Sequence, residues 1–143
     1  MRFMMLVIPK GYENAAPDYT PDPARVAEMD KYNDSLAKAG VLLSLDGLKP
    51  PSASVRVSFA GGKAKVTDGP FAEAKECVGG YWMIQVKSKE EAIEWAKRCP
   101  NPHPGMESEI EIRQVFEAED FGEALPPEIK EQEARRRMQT GAN

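Results

Sequence analysis

Two side chains in this sequence have the chemistry of a proton-transfer catalyst. Asp68 stands in residues 66–82, where turn-forming residues, an acidic run and a double glycine separate two apolar segments. His103 is the only histidine in the chain, and imidazole is the side chain whose ordinary pKa lies near neutrality. A carboxylate in a dry cavity works well as a general base. The pair therefore predicts acid–base chemistry, with Asp68 as the base and His103 as the acid or an orienting group.

Both residues also have a structural interpretation. The Asp68 carboxylate would accept from backbone N–H groups of the turn that follows it, with Pro70 fixing the backbone and Phe71 anchoring the loop in apolar surface. Gly69 would be needed because a Cβ there would crowd the proline ring. His103 lies between two prolines in a loop and would be solvated. The residues alone leave the structural and the catalytic interpretations open.

Other candidates would bind a ligand. Glu111 and Arg113 alternate with apolar residues near the C-terminal end of the chain. They form an anion-binding and proton-transfer set if their face lines a cavity, and ordinary cross-strand charges if it meets solvent. Phe71, Tyr81 and Trp82 are candidate walls of an apolar pocket.

The composition narrows the classes of function. The net charge is −4, so no basic field exists to attract nucleic acid or an anionic membrane. No apolar run approaches the ~20 residues needed to cross a bilayer. Cys77 and Cys99 lack metal-ligand spacing and are expected to be buried small hydrophobes, and so few cysteines favour a reducing, cytoplasmic location. Glycine-rich nucleotide motifs and a serine-hydrolase motif are missing, so we expect no cofactor and no metal.

The hydrophobic pattern predicts the elements that would position these residues. Asp22 followed by Pro23 predicts a helix start, and Ser88 with Glu91 forms a capping box. Gly61–Gly62 between two short strands is a hairpin signal. The predicted strands cover residues 2–8, 41–48, 55–60, 63–67, 78–86 and 109–116, and the predicted helices cover residues 23–39 and 88–99.

This order is a βαββαβ plan with an inserted β-hairpin, the ferredoxin-like arrangement of the α+β class. Such a plan places both helices on one face of the sheet. Strands 2–8 and 78–86 are nevertheless apolar on both faces, so the second face must also be covered. We expect a second copy of the sheet to cover it in a two-fold homodimer.

The stretch DGPF at residues 68–71, followed by AEAKECVGGYWMIQVKSKEEAIEWAKRCP, resembles the YCII-related family and in particular its DGPF-domain branch. The segments MRFMMLVI, GVLLSLDGLKPP and GMESEIEIRQV resemble the same family in the same order. The resemblance covers residues 1–116 as one domain. Residues 117–143 lie outside it as an acidic and then mixed-charge tail, which would be a solvated helix, a partner-wrapping arm or a partly disordered segment.

The resemblance implies a dimeric α+β barrel, a superfamily that also holds muconolactone isomerase and small monooxygenases. Some relatives are thought to use a His–Asp pair, and some DGPF proteins are encoded near extracytoplasmic-function sigma factors. Two functions follow as hypotheses. The first is a cofactor-independent enzyme of isomerase or lyase type acting on a small cyclic or aromatic substrate. The second is a non-catalytic ligand-binding or regulatory accessory protein, linked to sigma-factor signalling.

Overall fold

The structure is a computed structural model that describes residues 1–72, 76–101 and 107–141. Four of its strands form one antiparallel sheet and the other two form a separate sheet, so the fold is mixed α+β, as predicted. The strands are β1 (Arg2–Pro9), β2 (Leu42–Gly47), β3 (Val55–Ala60), β4 (Lys63–Asp68), β5 (Gly80–Gln85) and β6 (Ser108–Gln114), and the helices are α1 (Pro23–Lys38), α2 (Lys89–Lys97) and α3 (Pro127–Thr140). The larger sheet has the strand order β2–β5–β1–β6.

Side-chain caps define where α1 and α2 begin. The Asp22 carboxylate accepts a hydrogen bond from the Ala24 N–H at 3.0 Å, as the sequence predicted. The Ser88 hydroxyl accepts from the Glu91 N–H at 3.2 Å. The reciprocal bond differs from the prediction, because the Glu91 carboxylate accepts from the N–H of Lys87 rather than from that of Ser88. The effect is the same, since a backbone donor at the helix start is still satisfied.

The helices cover one face of the larger sheet. From β1 and β5 this face contributes every second side chain, and the buried residues that they share with the helices form one cluster. Tyr32 and Trp82 meet edge to face with ring centroids 5.4 Å apart, and the Tyr32 hydroxyl donates to the Trp95 carbonyl at 2.7 Å. The core residues are Phe3, Met5, Val7, Tyr32, Leu36, Val41, Trp82, Ile84, Val86 and Ala92.

Helix α1 is buried only through its second half. Tyr32 and Leu36 are buried, and Met29 packs partly against the core. Val26, three residues before Met29 on the same side of the helix, is 50% exposed. The first half of α1 therefore stands away from the core.

The opposite face of the larger sheet, here called the open face, carries half-buried apolar residues flanked by charges. The strand register places Asp46, Tyr81, Leu6 and Glu111 in one row across the sheet. The next row holds Ser44, Met83, Met4 and Arg113. Leu6, Met4, Met83 and Tyr81 are half-buried, whereas the charged residues of β6 are exposed. The centre of the open face is thus apolar and its β6 margin is charged.

Strands β3 and β4 pair only with each other among the described strands, and every residue of both strands is exposed. Gly61 and Gly62 join them with φ values of 59° and 75°, in the left-handed region that glycine adopts readily. The pairs Val57–Val66 and Phe59–Ala64 lie on one face of this β3–β4 hairpin. The hairpin therefore projects from the subunit with one apolar face.

The corner after β4 depends on close backbone contact. The Gly69 N–H donates to the Ser54 carbonyl at 2.8 Å, and a Cβ on Gly69 would lie 1.8 Å from the Pro51 carbonyl oxygen. This contact by itself explains why only glycine fits at position 69. Within the described ranges, no backbone N–H donates to the Asp68 carboxylate, so Asp68 does not cap the N–H of Phe71.

The C-terminal tail forms helix α3, and the carboxylate of Glu117 links this helix to strand β1. Helix α3 has no buried residue in the described chain. Glu117 accepts from Arg2 through both of its oxygens, at 2.9 and 3.1 Å, and from Arg137 of α3 at 3.1 Å. The hydrogen bond from Arg2, followed by that from Arg137, lowers the pKa of Glu117, although burial opposes it. This attachment is present above the ordinary pKa of a glutamate and is lost as pH falls through the lowered pKa.

Replacement of Gly69 by alanine should destabilise the fold, because the new methyl group would overlap the Pro51 carbonyl. We expect a loss of about 1–3 kcal/mol in the free energy of unfolding, measured by urea denaturation. Gly47→Ala is the matched control, since a Cβ at Gly47 meets no atom within 4 Å. If Gly69→Ala is as stable as Gly47→Ala, the close approach to Pro51 does not constrain this corner.

Candidate functional site

A cleft of about 670 Å³ lies beside the exposed first half of α1. Its walls come from that half-helix, the end of β1, the end of β2, the start of β5 and the loop that precedes α1. The volume falls in the range of roughly 300–1,000 Å³ typical of small-molecule sites. The cleft exists because α1 packs on the sheet only from Met29 onward.

The inner wall of the cleft is apolar and aromatic. Trp82 is buried, and its indole N–H donates to the Asn33 side-chain oxygen at 2.7 Å. Near the opening, Tyr12 and Tyr19 meet edge to face with centroids 5.5 Å apart, and the Tyr12 hydroxyl donates to the Leu48 carbonyl at 2.6 Å. Burial raises the pKa of Tyr12, so its hydroxyl keeps its proton at neutral pH. The remaining apolar lining includes Val7, Val26, Met29, Leu45 and Leu48.

The charged lining of the cleft is mostly acidic. Four carboxylates and two cationic side chains contribute to it. Arg25 lies 4.0 Å from Glu28, and Asp22 is occupied as the cap of α1. The other charged lining residues are Asp30, Asp46 and Lys49.

Asp46 and Tyr81 form a hydrogen-bonded pair on the open face at the β2 side of the sheet, and both residues also contribute to the cleft lining. The Tyr81 hydroxyl donates to the Asp46 carboxylate at 2.9 Å. This hydrogen bond, followed by partial burial and by the negative charge of Asp46, raises the pKa of Tyr81. A tyrosine that keeps its proton is a donor, and the carboxylate beside it is an acceptor. The pair can therefore hold and move a proton at the lip of the cleft.

The predicted base and its loop lie elsewhere. Asp68 ends β4, is exposed, and is not among the described residues that line the cleft. Phe71 is half-buried, and the Arg56 guanidinium carbon lies 3.8 Å from its ring centroid, in a cation–π contact. Phe71 thus packs against β3 and does not line the cleft.

The other predicted site residues fall on both faces of the sheet. Trp82 faces the helices and lines the cleft, whereas Tyr81 belongs to the open face and contributes to the cleft lining at the start of β5. Glu111 and Arg113 are exposed on the open face, outside the cleft lining. His103 lies outside the described residues, so its predicted role stays a prediction.

Sequence reasoning missed the two polar residues that the cleft brings together with aromatic ones. Asn33 lies within a helical stretch and nothing in its neighbours marks it. Asp46 stands in the segment GVLLSLDGLKPP, which carried the family resemblance but was not weighed as chemistry. An aspartate followed by glycine at the end of an apolar strand was the available signal. Cys77 and Cys99, predicted to be buried, are both half-buried, and burial raises the pKa of the Cys99 thiol to about 12.

Comparison with known proteins agrees with this fold. The YCII-related domain family matches residues 1–119, and the chain belongs to that family. The chain is also similar to an uncharacterised protein of Rhizobium meliloti (strain 1021), with 35% identity over 92 residues. That alignment covers 64% of this chain and 73% of the relative.

Two further properties concern the described residues only. None of the helices found there has the length and apolar character needed to cross a membrane. In the same ranges, no group of three or more His, Cys, Asp or Glu side chains is arranged to hold a metal ion.

Removal of the Asp46 carboxylate should lower the pKa of Tyr81, because the phenolate would no longer form beside a negative charge. Spectrophotometric titration of the tyrosines should show a larger downward shift for Asp46→Ala than for Asp46→Asn, which keeps an acceptor oxygen. Tyr81→Phe identifies the transition, and Asp68→Asn is the control that should leave it unchanged. An unaltered Tyr81 titration in Asp46→Ala would show that the two groups do not interact in solution.

Proposed function

We propose that this protein binds a small cyclic or aromatic molecule in the cleft and catalyses proton transfer on it without a cofactor. The observation that carries the proposal is the coincidence of an aromatic-walled cleft of about 670 Å³ with the Asp46–Tyr81 pair at its lip. A flat ring would stack against Trp82 and the tyrosines, which form an amphipathic wall. The reaction would be an isomerisation or an elimination.

The Asp46–Tyr81 pair can take up and release the transferred proton without a further reactant. The Asp46 carboxylate takes a proton from an acidic C–H of the bound molecule, and the Tyr81 hydroxyl turns its single hydrogen from Asp46 to the substrate oxygen on which charge develops. In an isomerisation, Asp46 returns that proton to another carbon. In an elimination, it delivers the proton to the leaving group. Asp46 thereby takes the role of base that the sequence suggested for Asp68.

A screen of small aromatic acids and lactones by thermal shift, followed by turnover assays, tests the function. With a substrate in hand, Asp46→Asn should reduce turnover by roughly 10²–10⁴-fold while binding is largely kept. Asp68→Asn is the control, and it should retain both binding and turnover. If Asp68→Asn or His103→Asn abolishes turnover while Asp46→Asn does not, the base lies in the predicted pair instead.

The alternative is a non-catalytic ligand-binding or regulatory protein, including one linked to sigma-factor signalling. The exposed acidic residues Glu119, Asp120 and Glu123 and the helix α3 favour it, because they offer a surface for another protein. Ligand binding without turnover in the same screen would favour this alternative.

The arrangement of the subunit also supports a dimer. The order β2–β5–β1–β6, with two helices on one face, is that of the ferredoxin-like βαββαβ plan, with β3 and β4 as its inserted hairpin. The half-buried apolar centre of the open face supports a homodimer in which two open faces meet, as in a dimeric α+β barrel. In such a barrel the β2 edge of one subunit lies beside the β6 edge of the other.

Sedimentation at micromolar concentration should give twice the 15.8 kDa mass of the chain. Leu6→Asp introduces a charge at the centre of the open face and should yield monomers that remain folded by circular dichroism. Met138→Asp is the control, because Met138 is 75% exposed on α3. A wild-type protein that sediments only as a monomer would contradict the dimer.

A further inference from the structure

The β3–β4 hairpin has the character of a docking element. An isolated two-stranded hairpin is at best marginally stable in water, so a projecting one needs a surface to cover it. Val57, Val66 and Phe59 lie on its apolar face, and Phe59 is 82% exposed. Contiguous exposed apolar residues of this kind are typical of interaction sites.

The tip of the hairpin combines apolar and basic side chains. Phe59 pairs with Ala64, and Ala60 pairs with Lys63, beside the Gly61–Gly62 turn. Lys65 follows on the same face of β4 as Lys63, because successive side chains alternate along a strand. The tip thus presents one aromatic ring on the apolar face and two cations on the opposite face, in a chain whose net charge is −4.

A matching surface lies at the start of β6. A depression of about 120 Å³ there has an apolar side formed by Ile8 and Pro9. Its charged side holds three carboxylates and one cation, and that cation, Lys10, is paired with Glu107 at 2.9 Å. The net charge of the depression is therefore negative, from three carboxylates less one lysine. The carboxylates are those of Glu76, Glu107 and Glu109.

The topology brings these two surfaces to the same end of the sheet. Gly47 at the end of β2 pairs with Gly80, Gly80 pairs with Val7, and Val7 pairs with Ile110 near the start of β6. The hairpin follows β2, and β2 and β6 are opposite edges of the sheet. Within one subunit the two surfaces are separated by the width of the sheet. A barrel that places the β2 edge of one subunit beside the β6 edge of the other brings them together.

We propose that the β3–β4 hairpin of each subunit docks its tip in the depression at the start of β6 of a second copy of this chain. Phe59 contacts Ile8 and Pro9 of the other copy, and the long side chains of Lys63 and Lys65 extend from the opposite face of the tip to the carboxylates at the rim of the depression. The contact is reciprocal, since a two-fold axis forms it twice. The inference rests on the dimer proposed above and assigns the hairpin as the arm that closes the barrel.

Sedimentation equilibrium of hairpin variants tests the proposal. Phe59→Ser should raise the dimer Kd by about tenfold, because the dimer loses one interface anchor. The melting temperature of the variant monomer should equal that of the wild-type monomer. Met138→Ser is the control for loss of an exposed apolar side chain. A Phe59→Ser protein with the Kd of the wild type would overturn the docking of the tip.

Charge reversal identifies the partner surface. Lys63→Glu and Glu109→Lys should each weaken the dimer at low salt and have little effect at high salt, and the double variant should regain affinity. If the loss of dimerisation free energy in the double variant equals the sum of the losses in the two single variants, the assigned contact is overturned. A wild-type monomer would overturn both the dimer and the arm, whereas a wild-type dimer indifferent to all hairpin variants would overturn the arm alone. Ligand binding in the cleft is measured separately and is not affected by either result.

Discussion

The larger sheet is apolar on both faces, and the rest of the structure depends on how those faces are covered. Phe3, Met5, Trp82 and Ile84 are buried beneath the two helices, and each such side chain contributes about 1.5–3 kcal/mol when fully removed from water. The same strands carry Met4, Leu6 and Met83 on the other side, where they are only half-buried. A sheet of this kind stabilises a subunit with one face and leaves the other available for association.

Incomplete covering of the helix side also creates the cleft. Helix α1 packs on the sheet from Met29 to Leu36, and its first half stands away with Val26 exposed. The space between that half-helix and the sheet is lined by aromatic rings from the sheet and from the loop before α1. The hydrogen bond from Trp82 to Asn33 satisfies a buried donor at the inner end. The packing of the core and the presence of the cleft are thus two consequences of one helix position.

The geometry of the corner after β4 has a different origin from that of the cleft. Gly69 is held by contact with the backbone of residues 51–54, so the DGPF stretch connects the hairpin to the β5 strand through packing of main chain against main chain. Asp68 is exposed at this corner, whereas Asp46 lies beside Tyr81 at the cleft. The corner and the Asp46–Tyr81 hydrogen bond therefore involve two different aspartate–glycine pairs.

The sequence alone determined the local elements, the α+β class and the family, because capping residues, alternation and glycine turns act over a few neighbouring residues. Asp22 as a cap, the strand at residues 55–60 and the two-sided character of β1 could all be read in this way. It did not determine which aspartate would lie beside a tyrosine, since the Asp46–Tyr81 contact joins residues 35 positions apart. Nor could the sequence identify the Pro51 carbonyl as the group that excludes a side chain at position 69, or Asn33 as the hydrogen-bond partner of Trp82. Such contacts form only when the strands pair in register and a helix packs against them. That packing is decided by the tertiary structure.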